Sequence, residues 1–381
     1  MDLLNLKIIP KKYNEELIEA VIKKEIESAN SIVKNGIDDT ESLNRILASF
    51  YILGARMIDN QSVTPQGVIY ADALIDLVKT VFKDDNPTPV LKKAIRYFSS
   101  FDYMENDVSK MRFRDGEFPQ AVVVKDLALA IYEGNYDDAI RTSRNILYAI
   151  DSKKYFNENL IEIASGYYSE AGHQALILAN ATSKGLEFLE WDNSEDLVFN
   201  VIRYLVNLRN DTSGEWIEPV QADKINYPDY FLRVSVNPGK KGENAVYLTH
   251  ARQAYRYASA KYQIIWGNLA AYIARSFNDF PTPDNRKTEN VSGSIEGIGK
   301  AISDKDETSA TAQFAGLNKT GENENKLFKP LVLSVCEKGA DQDPAGLIFL
   351  NSARRMARAL KYPRNIHIVQ NAVNYAVKLY L

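Results

Sequence analysis

Residues 130–189 read AIYEGNYDDAIRTSRNILYAIDSKKYFNENLIEIASGYYSEAGHQALILANATSKGLEFL, and residues 301–360 read AISDKDETSATAQFAGLNKTGENENKLFKPLVLSVCEKGADQDPAGLIFLNSARRMARAL. Set against each other at an offset of 171, the two stretches align without a gap. Ala130 meets Ala301, Ile131 meets Ile302 and Ala139 meets Ala310. Leu160 meets Leu331, Leu176 and Ile177 meet Leu347 and Ile348, Asn180 meets Asn351, and Leu189 meets Leu360. Each stretch reads as helix, acidic turn, helix, loop and a long Ala/Leu-rich helix. Two explanations fit: a true duplication, or independent helices that repeat apolar residues at the same spacing. Both predict a mainly α, multi-helical protein. The first adds a tandem duplication of an orthogonal helical domain.

Outward from these segments, helical periodicity continues. In 12–35, Leu17, Ile18, Val21, Ile22, Ile26, Ala29, Ile32 and Val33 recur at steps of three and four, and Gly36 supplies a stop. Asp38 with Glu41 forms a capping box for a helix through Arg56, and Thr88-Pro89 opens one running to Phe98. Further helices fit 122–134, 136–150, 156–168, 172–190, 194–208 and 244–277. Strands are expected to be few and short, around 217–247, where prolines and glycines interrupt the pattern. Phe231-Leu-Arg-Val-Ser-Val236 is the best strand candidate. The proline-bearing 278–293 reads as a linker. The expected units are therefore 1–120, 121–216, an irregular and helical connector at 217–290, and 291–381.

Composition limits the function classes. Of 381 residues, 45% are apolar and 25% charged, which is ordinary globular composition. Lysine plus arginine is 46 against 50 for aspartate plus glutamate, a net charge of -4, so nothing global calls for a polyanionic partner. One cysteine, Cys336, and three histidines leave almost no soft metal ligands; no metal and no cofactor are expected. No basic segment followed by an apolar one opens the chain and no 18 apolar residues run together, so a cytoplasmic protein with no membrane partner is expected.

Segment 127–209 carries a further pattern. Gly134-x-x-x-Asp138-Ala139 opens one helix, and Asn159-Leu160-Ile161-Glu162-Ile163-Ala164-Ser165 closes the next. Ala171-x-x-x-Ala175-Leu176-x-x-Ala179-x-Ala181 leads to Glu187-x-Leu189, and Tyr204-Leu205 follows. This resembles the helical C-terminal region of the RarA (MgsA) family of replication-associated recombination ATPases. The resemblance implies collar-like helical domains at 121–216 and 291–381, of the kind through which subunits of that family oligomerise. The chain departs from the family where Gly166-Tyr167-Tyr168 replaces Glu-Asp-Ile and Arg209-Asn210-Asp211 replaces Pro-Lys-Ser. Gly172-His173 replaces Asp-Pro, although Asp343-Pro344 restores it in the second stretch. The family's ATPase module has no counterpart here, so its activity is not implied.

Chemistry is sparse in the pattern. Gly293-Ser-Ile-Glu-Gly-Ile-Gly299-Lys300-Ala301 has five residues between its outer glycines and alanine after the lysine, which breaks a phosphate loop and predicts no ATPase activity. Glu170-Ala-Gly-His173 matches a carboxylate–imidazole unit of di-iron bundles, but Tyr247 and Arg364 stand where His250 and His367 would need a second such glutamate. Catalytic candidates reduce to His173, His250 and Glu170, set against packed or surface histidines. The clearest charge asymmetry lies at the C-terminus. From Pro344 to Leu381 there is no acid, while Arg354, Arg355, Arg358, Lys361 and Arg364 are basic. That stripe suits a phosphate backbone, or an acidic partner such as Glu187, Glu190 and Glu195 in the same or another copy. The leading expectation is a non-enzymatic helical scaffold or oligomeric assembly subunit of a nucleic-acid-associated complex. Its partners would be further copies, other subunits or nucleic acid. The alternative is an α-helical enzyme, oxidative or hydrolytic, using His173 and His250 in a helical pocket.

Overall fold

The computed structural model describes residues 12–59, 62–111, 124–148, 153–168, 170–211, 215–216, 225–257, 263–283 and 291–381. Its first block holds α1 (Glu15–Ile22), α2 (Ile26–Gly36), α3 (Thr40–Arg56), α4 (Gln66–Thr80) and α5 (Thr88–Phe98). The second holds α6 (Val124–Tyr132), α7 (Tyr136–Tyr148), α8 (Lys153–Ser165), α9 (Glu170–Phe188) and α10 (Glu195–Asp211). A shorter third block has α11 (Tyr227–Val236), α12 (Glu243–Ala254) and α13 (Gln263–Phe277). The fourth has α14 (Ile295–Ser303), α15 (Glu307–Lys319), α16 (Glu324–Leu327), α17 (Lys329–Lys338), α18 (Ala345–Leu360) and α19 (Ile366–Lys378). Strands are minor. β1 (Met57–Asp59) pairs antiparallel with β2 (Ser62–Val63) and β3 (Asp102–Tyr103), and β4 (Tyr167–Tyr168) pairs with β5 (Glu215–Trp216). No helix among the described residues is long and apolar enough to cross a membrane.

The expected strand at Phe231–Val236 is helix α11, and the described part of 217–247 contains no strand. Its buried residues Tyr227, Phe231 and Val234 fall at helical spacing, and Arg233 reaches back one turn to Asp229 at 2.9 Å. A short Phe/Val run is ambiguous between the two periods until burial selects one. The stretch 12–35 is two helices, not one. Lys24 takes a left-handed conformation (φ 62°), and its amide and that of Glu25 turn back to the carbonyls of Val21 and Ala20. Two caps shift by one residue: Asp39, not Asp38, accepts from Ser42, and Pro87 takes the N-cap position of α5 ahead of Thr88, the expected cap.

The Lys24 turn recurs at four further helix ends among the described residues, at Gly134, Glu190, Lys305 and Gly321, and at two of these the next helix begins two residues on. Gly134 (φ 71°) and Lys305 (φ 64°) end α6 and α14 with the same pair of back-turned amides, to Ile131 and Ala130 and to Ile302 and Ala301. This is the Schellman arrangement, which satisfies the last carbonyls of one helix while starting the next. Behind Lys24 and these two turns the same small alanine is buried: Ala29, Ala139 and Ala310. Displaced by 171 residues, the bounds of α6 and α7 coincide with those of α14 and α15, and the first residue of α10 with that of α19.

The blocks close around a central bundle. Helices α4 and α9 pack together, as do α9 and α12, α12 and α18, and α18 and α4, so each block supplies one side of a square. An outer layer follows the same order. Helix α3 packs on α10, α8 on α13, α11 on α19 and α17 on α5, each block reaching to the next and the last returning to the first. Closure between fourth and first blocks is reinforced by Lys93, buried, whose ammonium donates to the carbonyls of Gly339 and Ala340, and by Arg96 on Asp341.

Where α3 crosses α4, Gly54 and Gly67 face each other. A Cβ on Gly54 would lie 2.5 Å from the backbone of Gly67, and one on Gly67 would lie 2.7 Å from that of Gly54. Backbone cannot rotate aside, so the helices must separate. Gly54→Ala is expected to lower stability by roughly 1–3 kcal/mol, read from urea unfolding; an unchanged midpoint would show that the crossing is not tight.

Candidate functional site

Helix α4 is apolar over most of its surface, yet it carries Asp72 and Asp76 one turn apart on its bundle side. Every bundle helix does something similar. Asp72 on α4, Asn180 on α9, His250 on α12 and Asn351 on α18 are each at most 3% exposed. Asn180 Nδ2 donates to His250 Nδ1 at 2.9 Å and to Gln253 at 3.0 Å, which leaves the histidine proton on Nε2. Tyr51 donates to Asp72 at 3.1 Å, and Lys184 of α9 forms an ion pair with the same carboxylate.

One turn further on, Arg354 and Arg355 of α18 both take Asp76. Arg355 Nε donates to Asp76 at 2.9 Å, while Arg354 forms an ion pair with it and donates to Asn325 at 2.6 Å and Asn351 at 3.0 Å. Burial alone would raise the Asp76 carboxyl, but the Arg355 and Arg354 guanidiniums hold it well below the usual carboxylate range. Asp72 is likewise lowered: burial opposes this, and the Lys184 and Arg355 charges overcome it. Burial pulls the Lys184 ammonium down against the attraction of Asp72. His250 is pushed down to about 3, chiefly by burial, and is neutral at neutral pH.

Cavities open at both ends of the bundle. At its C-terminal end one of ≈ 630 Å³ is lined by Asp76, Lys184, Arg252, Arg256, Arg355 and Arg358, among others. At its N-terminal end, one of ≈ 550 Å³ is lined by Gln66, His173, Gln174, Lys240, Glu243 and Ile348, among others. The His173 ring packs against Tyr247 and Tyr272, with centroids 4.6 and 5.0 Å away, and burial pushes it down to about 4.

The expected site residues thus separate. His173 lines the N-terminal mouth, whereas His250 is enclosed in the bundle and lines neither cavity. Glu170 opens α9, but its side chain lies outside the described part. No group of three or more His, Cys, Asp or Glu that could hold a metal occurs among the described residues. The Gly293–Ala301 segment is a helix entry in which Ser294 caps the amide of Gly297. Cys336 is buried, which pushes its thiol up to about 12.

The basic stripe is divided. Arg354 and Arg355 turn inward, Arg358 stands at the C-terminal mouth, and Lys361 and Arg364 are exposed. Within the chain, the acids expected as their partner at 187–196 hold other cations. Glu187 holds Arg256 at 2.8 Å, Glu190 holds Lys12 at 2.8 Å and Asp196 holds Arg56 at 2.7 Å. Asp76 takes the arginines instead, because the ring brings α4 against α18. Sequence reasoning missed Asp72, Asp76, Lys184, Arg252 and Arg256. The available signal was two aspartates four apart in an otherwise apolar helix, a spacing that puts both on one face. No protein-family model, curated protein or solved structure matches the chain.

Proposed function

We propose that the protein is a non-enzymatic helical scaffold in which one helical unit, repeated within the chain, closes into a ring. The observation that supports this most is the unbroken order of packing, each block on the next and the fourth on the first. The left-handed turns at Gly134 and Lys305, which lie 171 residues apart, and the coincidence of helix bounds at the same offset favour duplication over convergent patterning. Among the described residues the third block then has no counterpart of the leading helical pair that the other three carry. On this reading the resemblance to the RarA collar takes a specific form. What separate subunits do there, repeats of one chain do here, and the buried charges of the bundle serve as the joints between repeats.

The enzyme reading draws less support. His250 makes its hydrogen bond inside the bundle, and it lines neither the cavity at His173 nor the one at the opposite end. The scaffold would carry partner subunits or nucleic acid at the turn between α18 and α19, where Lys361 and Arg364 are exposed. Light scattering is the test. A ring closed within one chain should give the mass of a single chain, 43.0 kDa, unchanged by dilution. A higher mass that falls on dilution would mean that closure is shared between copies. A mass increase on adding single-stranded nucleic acid, lost at high salt, would identify that partner.

A further inference from the structure

The geometry points to a binding site for a small phosphate ester in the C-terminal mouth of the bundle. Six cations line this cavity: Lys184, Arg252, Arg256, Arg354, Arg355 and Arg358. Among the described residues three carboxylates answer them. Asp72 takes Lys184, Glu187 takes Arg256, and Asp76 is shared by Arg354 and Arg355. Arg252 has the ring of Phe231 beneath it, 5.5 Å from its guanidinium carbon, and neither it nor Arg358 has a carboxylate partner among the described residues. The mouth therefore holds about three positive charges more than its acids neutralise.

A second observation is independent of that count. The Arg354 side chain is only 3% exposed, yet its Nε meets no acceptor; Nη1 of Arg355 is buried and equally unpartnered. Buried guanidinium N–H groups are costly to leave unpaired. The partial negative charge of the helix C-termini attracts arginines to this end, but supplies no acceptor in the plane of either fork. A tetrahedral oxyanion in the cavity would pair with the guanidiniums that border it, since planar guanidinium forks bind phosphate oxygens in pairs. Phe231 and Ala359 add an apolar wall for an organic portion, and Thr80, Thr249 and Gln253 line the same space. At ≈ 630 Å³, within the range of small-molecule sites, and walled by the four bundle helices, the cavity suits a compact anion and excludes a nucleic-acid duplex.

Calorimetric titration of the full chain with inorganic pyrophosphate and with phenyl phosphate tests this. At least one should bind, one per chain, and raise the melting temperature. Arg252→Ala and Arg358→Ala should each weaken binding tenfold or more. Both side chains are exposed and lack an acid partner, so the variants should keep the unliganded melting temperature, and Arg364→Ala should bind as the wild type does. Four results would each overturn the assignment: no binding of either probe at millimolar concentration, affinity unaffected by both arginine substitutions, citrate bound as tightly as the phosphates, or binding of a single-stranded oligonucleotide weakened as much by Arg364→Ala as by Arg252→Ala.

Discussion

Asp76→Ala is expected to cost roughly 3–5 kcal/mol of folding stability, the range for breaking a buried ion pair by removing one partner. The loss is large because one carboxylate serves two guanidiniums, of which Arg354 is almost wholly buried. Without Asp76 both charges remain in the bundle with no carboxylate in contact, beside Lys184, which occupies Asp72. The arginines are then the liability, so Asp76→Ala combined with Arg354→Met and Arg355→Met should recover much of the loss. Equilibrium urea unfolding measures both. A single variant within about 1 kcal/mol of wild type, the value of an exposed pair, would show that the joint between α4 and α18 is solvated. The pH dependence has a definite sign. The folded carboxyl is depressed, so its contribution is complete above the unfolded value of about 3.9 and is lost as pH falls towards the lower folded value.

His250 sets a different window. Its imidazole is held neutral by burial, with a folded value of about 3 against 6.5 for the unfolded chain. Below pH 6.5 the unfolded state takes up a proton that the folded state refuses, so stability falls as pH drops, by up to about 1.4 kcal/mol per unit. Carried to the folded value this amounts to several kcal/mol, enough to threaten a domain of ordinary stability. His173, lowered to about 4, adds to the same slope. His250→Asn places at this position the residue that α9 and α18 carry as Asn180 and Asn351. It should flatten the slope between pH 6.5 and 5, before most carboxylates titrate. Urea midpoints across that interval decide the matter; a wild type insensitive to pH there would mean that His250 is open to protonation.

Much of the secondary structure was legible because helices are specified locally. Apolar spacing marked α6 to α10, and at the 171-residue offset the bounds of α6 and α7 coincide with those of α14 and α15. Reading failed where local signals were ambiguous or displaced. Lys24 occupies a left-handed turn that glycine usually marks, so α1 and α2 merged into one expected helix. Phe231–Val236 has strand-forming residues, and it became a helix because that period places Tyr227, Phe231 and Val234 on one buried face.

The sequence by itself determined that the chain is helical, that a segment pattern recurs, and that the C-terminal helix is rich in arginine without acids of its own. It could not say what those arginines meet. Asp76 lies 278 residues from Arg354, and no periodicity links positions that far apart. Only ring closure brings α4 to α18, turns Arg354 and Arg355 inward, leaves Arg252 and Arg358 facing a shared cavity, and seals His250 from solvent. A side chain's charge is written in the sequence. Whether that charge is neutralised, exposed or forbidden depends on which distant helix lies across from it, and tertiary packing alone decides that.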